Sequence, residues 1–128
     1  MKLTADEARN CGIDVPKQNK YRNVKVVVDG IKFDSTKEAN RYAELKLMEK
    51  AGEIELCVHP SYPYVGEDGN LIFKYVADFW YCNVATGKVT VEDVKPFDKK
   101  SQKFRLTPVY RLKKKLIESR FHFKITEV

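Results

Sequence analysis

Residues 71–82, the Thr86-Gly87 turn and residues 88–95 follow one another in an order that leads to a β-hairpin. Side chains alternate between the faces of a strand, so Phe73, Tyr75, Ala77, Phe79 and Tyr81 fall together on one apolar face. Asp78 falls on the other, between Val76 and Trp80, where an aspartate is a poor strand former and poorly solvated. In the second run Val89, Val91, Asp93 and Lys95 share a face, and Thr90, Glu92 and Val94 take the opposite one. A face that opens on two valines and closes on a carboxylate and an ammonium sets charge at the edge of a core. Pairing through the turn places Asp78 and Asp93 on adjacent strands near one level. A plain Asp/Lys ion pair, worth about 0–1 kcal/mol when exposed, or an arginine or backbone amide beside Asp78, is the structural alternative.

The remaining elements read as follows. Residues 1–20 suggest a short helix and a tether, from the capping box Thr4-Ala5-Asp6-Glu7, then Gly12 and Pro16. Residues 24–28, Asp29-Gly30 and residues 31–33 predict a tight hairpin. Ser35-Thr36-Lys37-Glu38 is a second capping box, opening a helix that runs through Met48 toward a C-terminal Gly52. A strand is expected at 54–58, an irregular stretch around Pro60 and Pro63, and a basic loop at 96–106. Thr107 caps a last helix with Pro108 at its first position, reaching about residue 120, and 121–127 alternates like a closing strand. The order predicts one α/β or α+β domain, a central mixed sheet flanked by helices, over residues 21–128.

Composition narrows the class. At 43% hydrophobic and 33% charged, 128 residues suit one globular domain and not two. The net charge of +6 is unevenly spread: from Lys95 onward there are 11 basic and 3 acidic residues, whereas the first 94 carry 13 and 15. A basic last quarter suits a polyanion, and a solvated, solubilising surface is its plain alternative. Cys11, Cys57 and Cys82 form no C-x-x-C pair, which argues against a disulfide framework or structural zinc. Neither an apolar run of membrane-spanning length nor a signal peptide is expected, so the chain is read as cytoplasmic with no membrane partner.

In the helix from Ser35, a turn of about 100° per residue brings Glu38 into the apolar stripe of Ala39, Tyr42, Ala43 and Leu45. Its carboxylate either points at the sheet or folds back to complete the capping box. Glu38, Asp78 and Asp93 converging at a core edge would raise one another's pKa values, a conflict that a divalent cation removes. All-oxygen ligation points to Mg²⁺ or Mn²⁺. His59, beside prolines, and His122, in the last strand, are read as structural.

Asp78 and the Asp93-Val94-Lys95 tripeptide resemble the PD-(D/E)XK nuclease superfamily, in which a Glu-bearing helix precedes an Asp on one strand and an acidic-x-Lys on the next. More closely, VVVDGIKFDSTKEANRYAELKLM at 26–48, Tyr75-Val76-Ala77-Asp78-Phe79 and Val91-Glu92-Asp93-Val94-Lys95 resemble a small phage-encoded family compared with Holliday-junction resolvases. The likeness spans roughly residues 20–128. Ala77 stands where the superfamily's name has proline, and Pro96 follows Lys95 where glycine is frequent.

This resemblance implies a restriction-endonuclease-like core and a Mg²⁺- or Mn²⁺-dependent endonuclease that hydrolyses DNA phosphodiesters, selective for branched or duplex structure, in recombination, replication or packaging. Asp78, Asp93 and the Val94 carbonyl would hold the metal, Glu38 a second metal or a metal-bound water, and Lys95 would orient or deprotonate the attacking water. Glu92 is the other acidic choice, but only Asp93 shares a face with Lys95. On the last helix Val109, Leu112, Leu116 and Ile117 form the expected buried stripe, with Arg111, Lys114 and Lys115 facing solvent. Lys99, Lys100, Lys103, Arg111 and Lys114 are expected to meet phosphates, and Lys113 either leans toward the active site or snorkels. Symmetric cutting of two strands would call for a homodimer. If phage-encoded, the protein would work in a bacterial host's cytoplasm. The rival reading is a nucleic-acid-binding protein that keeps the fold without turnover.

Overall fold

The computed structural model describes residues 25–128. The expected N-terminal helix and tether, with Cys11, lie outside the described residues. Two helices and ten strands in mixed sheets make the described chain an α+β protein. It divides into two compact units at Gly52/Glu53. Among the described residues no helix is long and apolar enough to cross a membrane.

In the first unit β1 (Val26–Val28) and β2 (Ile31–Phe33) pair antiparallel, Val28 opposite Ile31. Their two-residue turn puts Asp29 at φ +52° and Gly30 at φ +76°, the left-handed pair that a tight hairpin with right-handed twist requires. Helix α1 (Thr36–Lys50) starts at Ser35, whose hydroxyl accepts the Glu38 amide at 3.1 Å. It ends at Ala51, followed by Gly52 at φ +78°. The Tyr42 hydroxyl donates to Asp29 at 2.8 Å, tying helix to turn. Burial and the Asp29 carboxylate push that phenol's pKa up to about 12.

In the second unit β10 (Ile125–Glu127), β7 (Val89–Asp93), β6 (Phe79–Asn83) and β3 (Ile54–Val58) lie side by side in that order. The β10–β7 pair is parallel and the other two are antiparallel. The expected long strand 71–82 is broken in two. Its first half, β5 (Leu71–Val76), pairs with β4 (Ser61–Val65), while β6 pairs with β3 and β7. The break falls at Ala77-Asp78, where the backbone changes partner: Ala77 donates to the Pro60 carbonyl and Asp78 to the Glu92 carbonyl.

Strand β4 occupies the stretch expected to be irregular. Pro63, opposite Lys74, is tolerated because a two-stranded ladder leaves one edge of each strand unpaired. The basic loop contains a short hairpin of β8 (Phe97–Asp98) and β9 (Lys103–Phe104).

Helix α2 (Pro108–Phe121) is capped by Thr107, whose hydroxyl accepts the Tyr110 amide, and carries Pro108 in its first turn. The face turned to the core keeps Ile117 of the expected stripe but not Val109 or Leu112. Tyr110 and Ile117, two turns apart, are buried with Tyr75, Ala77, Val91 and Ile125, while Val109 and Leu112 are 62% and 60% exposed. A large aromatic ring at Tyr110 claims the inward position, and the half-buried stems of Lys113 and Lys114 fill the turn between. Burying Ile117 contributes about 1.5–3 kcal/mol. His122, expected within a strand, instead ends α2 in the left-handed conformation at φ +59°.

Candidate metal centre

The β6–β7 register, Phe79 opposite Glu92 and Trp80 opposite Val91, carries Asp78 to the level of Asp93. The two residues then clasp each other through the backbone. The Asp78 amide donates to Asp93 Oδ1 at 3.2 Å, and the Val94 amide donates to Asp78 Oδ2 at 2.7 Å. The Tyr75 hydroxyl donates to Asp93 Oδ2. Each carboxylate is thus fixed in orientation by donors from its neighbours.

Asp93 is 3% exposed, and its carboxyl is pushed up to about 7. Burial is the main cause. The Tyr75 hydrogen bond opposes it, the Asp78 charge adds to it, and the Lys95 charge again opposes it. The buried carboxylates of Asp93 and its neighbour Glu92 lie on opposite faces of β7, and Glu92 accepts the Tyr81 hydroxyl. Its position matches a structural role.

Lys95 continues from Asp93 beyond β7, its amide bonded to the Val128 carbonyl. The ammonium sits 4.0 Å from the centroid of the Tyr110 ring. That ring is a second partner besides Asp93, whose pKa the Lys95 charge lowers. Val94 contributes its amide to Asp78.

His59 was not expected here. In the link from β3 to β4 it adopts φ +55°, and its amide donates to the Asp78 carbonyl at 2.9 Å. A ring nitrogen of His59 and a carboxylate oxygen of Asp78 lie within 4.8 Å, close enough to share one ion. A nitrogen donor therefore lies beside Asp78, at a histidine that the sequence alone marked as structural. No local motif marks this histidine; only the bend that returns the chain past the β5–β6 break brings it there. In the other unit Glu38 lies in the first turn of α1 and is 5% exposed, an unusual degree of burial for a carboxylate.

The basic residues separate into two groups. Lys99, Lys100 and Lys103 are exposed on the β8–β9 hairpin, and Arg111 is exposed in the first turn of α2. Lys113 is half-buried, its ammonium 5.6 Å from the centroid of the Phe73 ring. Lys114, expected to face solvent and meet phosphate, instead bonds both carboxylate oxygens of Glu127 at 2.8 and 2.9 Å. The parallel pairing of β10 with β7 delivers Glu127 to that place, and Lys114 is committed to an internal ion pair.

No curated protein and no solved structure matches the chain. One family model, described as a protein of unknown function, DUF1064, matches residues 18–127, a span that includes Glu38, His59, Asp78, Asp93 and Lys95. The chain belongs to the DUF1064 family.

Proposed function

We propose that the protein is a divalent-metal-dependent endonuclease that hydrolyses DNA phosphodiesters, built on a restriction-endonuclease-like core. The observation that carries this reading is the Asp78–Asp93 clasp: two carboxylates oriented by backbone amides on neighbouring strands, one of them buried and raised toward neutrality by burial and by the other's charge. Two such groups repel unless a proton or a cation sits between them, and a bound divalent ion relieves that repulsion better than a proton at neutral pH.

Asp78 offers its carboxylate to an ion, its rotation set by the Val94 amide on Oδ2. Asp93 supplies the second carboxylate, with Tyr75 fixing its rotation. His59 adds a nitrogen donor, which shifts the expected preference from Mg²⁺ toward Mn²⁺. Glu38 enters as a further ligand on the sequence reading, from its place in the apolar stripe of α1 and from the resemblance. When bound, the metal supplies a Lewis acid for a phosphoryl oxygen and a means of activating water. Lys95 offsets negative charge growing on the phosphate, a role that requires its ammonium to leave the Tyr110 ring. The exposed lysines of the β8–β9 hairpin hold the DNA backbone, and selectivity for branched structure follows from shape and charge rather than base reading.

The test incubates the protein with branched, single-stranded and linear duplex DNA in Mn²⁺, Mg²⁺ or EDTA. Metal-dependent cleavage that disappears in Asp78→Ala and Asp93→Ala supports the reading; salt-sensitive binding with no cleavage in any metal overturns it. That second outcome is what a non-catalytic nucleic-acid-binding protein would give, and the packing of Lys95 on Tyr110 is the observation that favours this alternative.

A further inference from the structure

Next to the acidic pair, the second unit carries an open cleft of about 600 Å³ between the β8–β9 hairpin and the first turn of α2. Ligand clefts run from about 300 to 1,000 Å³, so this one is large enough for a nucleotide-sized guest. Its lining combines two chemistries. Lys95, Lys103, Arg105 and Arg111 supply positive charge, and Phe104 and Leu106 supply apolar surface. Phe104 is braced by Phe97, the two rings packed edge to face at 5.1 Å. Lys95 links the cleft to the acidic pair, since it lines the one and its charge acts on Asp93 in the other.

We propose that this cleft holds one unpaired nucleotide of a DNA strand, its phosphates met by Lys103, Arg105 and Arg111 and its base laid against Phe104. Leu106 packs against the core, but a polyanion alone would explain the cations and not the Phe104 ring set among them. A double helix offers phosphates but keeps its base faces stacked inside. An unpaired nucleotide presents an anion and a flat apolar face together, which is the pairing used by single-strand binding surfaces. The inference rests on the nuclease reading for the identity of the strand. It deepens that reading by naming the substrate class: DNA with a single-stranded segment such as a flap, a gap or an open branch, led past Lys95 toward the acidic pair.

Fluorescence anisotropy on the full chain in EDTA tests this, with labelled oligothymidylate compared against a duplex hairpin of equal phosphate count. The expected result is at least about tenfold tighter binding of the single strand. Phe104→Leu is expected to weaken single-strand binding about tenfold, within the range of one base–aromatic stack, and to leave duplex binding unchanged. Arg111→Gln, at an exposed position where folding is not at stake, is expected to weaken single-strand binding and flatten its salt dependence. Duplex binding equal to or tighter than single-strand binding overturns the proposal, as does unchanged single-strand affinity in Arg111→Gln.

Cleavage of branched DNA in Mn²⁺, scored in parallel, separates the two readings. Cleavage without single-strand preference removes the cleft proposal alone. Single-strand preference without cleavage sustains the cleft and removes the nuclease.

Discussion

At the turn end of the β6–β7 hairpin, Asn83 Oδ1 accepts the amides of Ala85 and Thr86 at 3.0 Å each, Thr86 accepts the Lys88 amide, and Gly87 takes φ +74°. Val84 and Val89 there are 59% and 49% exposed. At the opposite end Asp78 and Asp93 also accept backbone amides, but with a second carboxylate alongside and Asp93 almost fully buried. Both ends carry side chains that accept backbone amides, yet only at the turn end does closing the hairpin account for them. Side-chain caps there satisfy local amides in water, at ordinary exposure. The acidic end performs the same capping with groups that burial and mutual charge make unfavourable, where a neutral asparagine would cap as well. Excess charge beyond what capping needs is what the proposed metal site accounts for.

Breaking the acidic end should therefore abolish function, while breaking the turn end should not. Asp78→Ala and Asp93→Ala are each expected to lower metal-dependent cleavage by at least about a hundredfold, the scale on which removing a preorganised electrostatic group acts. Asn83→Ala should cleave at the native rate. Gel assays of labelled branched DNA in Mn²⁺ measure both, and equal loss at the two ends would erase the distinction.

Tyr75 sharpens it further. Its hydroxyl holds Asp93 Oδ2 and lowers that carboxyl's pKa against the pull of burial. Tyr75→Phe removes the hydroxyl and keeps most of the ring, so it should weaken Mn²⁺ affinity about 10–100-fold, the usual cost of losing a group that orients a ligand. Calorimetric titration measures this, and Tyr75→Phe should also raise the apparent pKa of metal binding. Tyr81→Phe, which releases Glu92 on the other face of β7, should leave Mn²⁺ affinity unchanged.

The pH dependence of stability tests the acidic end without activity. Asp93 titrates at about 7 when folded against 3.8 as a free side chain. The folded state therefore binds more protons between those values. Stability contributed by the protonated carboxyl is fully present below about pH 4 and is lost as pH rises toward 7. The slope is opposite to that of an ordinary salt-bridged aspartate, whose contribution grows as pH rises. Denaturation in EDTA from pH 4 to 8 should show the decline, Asp93→Asn should flatten it, and saturating Mn²⁺ should offset it. A decline that survives unchanged in Asp93→Asn would assign it to other groups.

How much of this is legible in the sequence varies with the range of the interaction. Short-range signals carry well: the Ser35 and Thr107 caps, the Asp29-Gly30 turn and the strand at Ile54–Val58 all rest on side chains within a few residues of one another. Alternation marks Tyr75, Ala77 and Phe79 as buried, but the break swaps faces. Tyr75 and Ala77 pack with Val91 and Trp80, while Phe79 stands opposite Glu92 on the other face, a correction to the single apolar face expected. The break itself is not legible, because it depends on Pro60 and Glu92 offering carbonyls from distant segments. The same distance hides His59, which reaches Asp78 only through tertiary folding. The face of α2 is only partly legible: Ile117 is buried as expected, but Tyr110 takes the inward place given to Val109 and Leu112, because periodicity weighs aliphatic side chains without asking which carries the larger ring. Lys114 is misassigned for want of Glu127, thirteen residues away.

The smallest effect belongs to the turn end. Asn83→Ala removes one acceptor shared by two amides, and both amides are exposed to water that can replace it. The substitution should cost about 1 kcal/mol of stability, in the range of a single neutral hydrogen bond. It should lower the denaturation midpoint without changing the slope, because no additional surface is exposed on unfolding. Asp78→Asn, made at the opposite end, keeps an acceptor for the Val94 amide while removing one charge from the pair. Measured in EDTA at pH 8, it should be no less stable than the native chain, since the lost repulsion with Asp93 offsets the weaker hydrogen bond. A larger loss in Asp78→Asn than in Asn83→Ala under those conditions would show that the charge at the acidic end serves folding, and the contrast between the two ends would vanish.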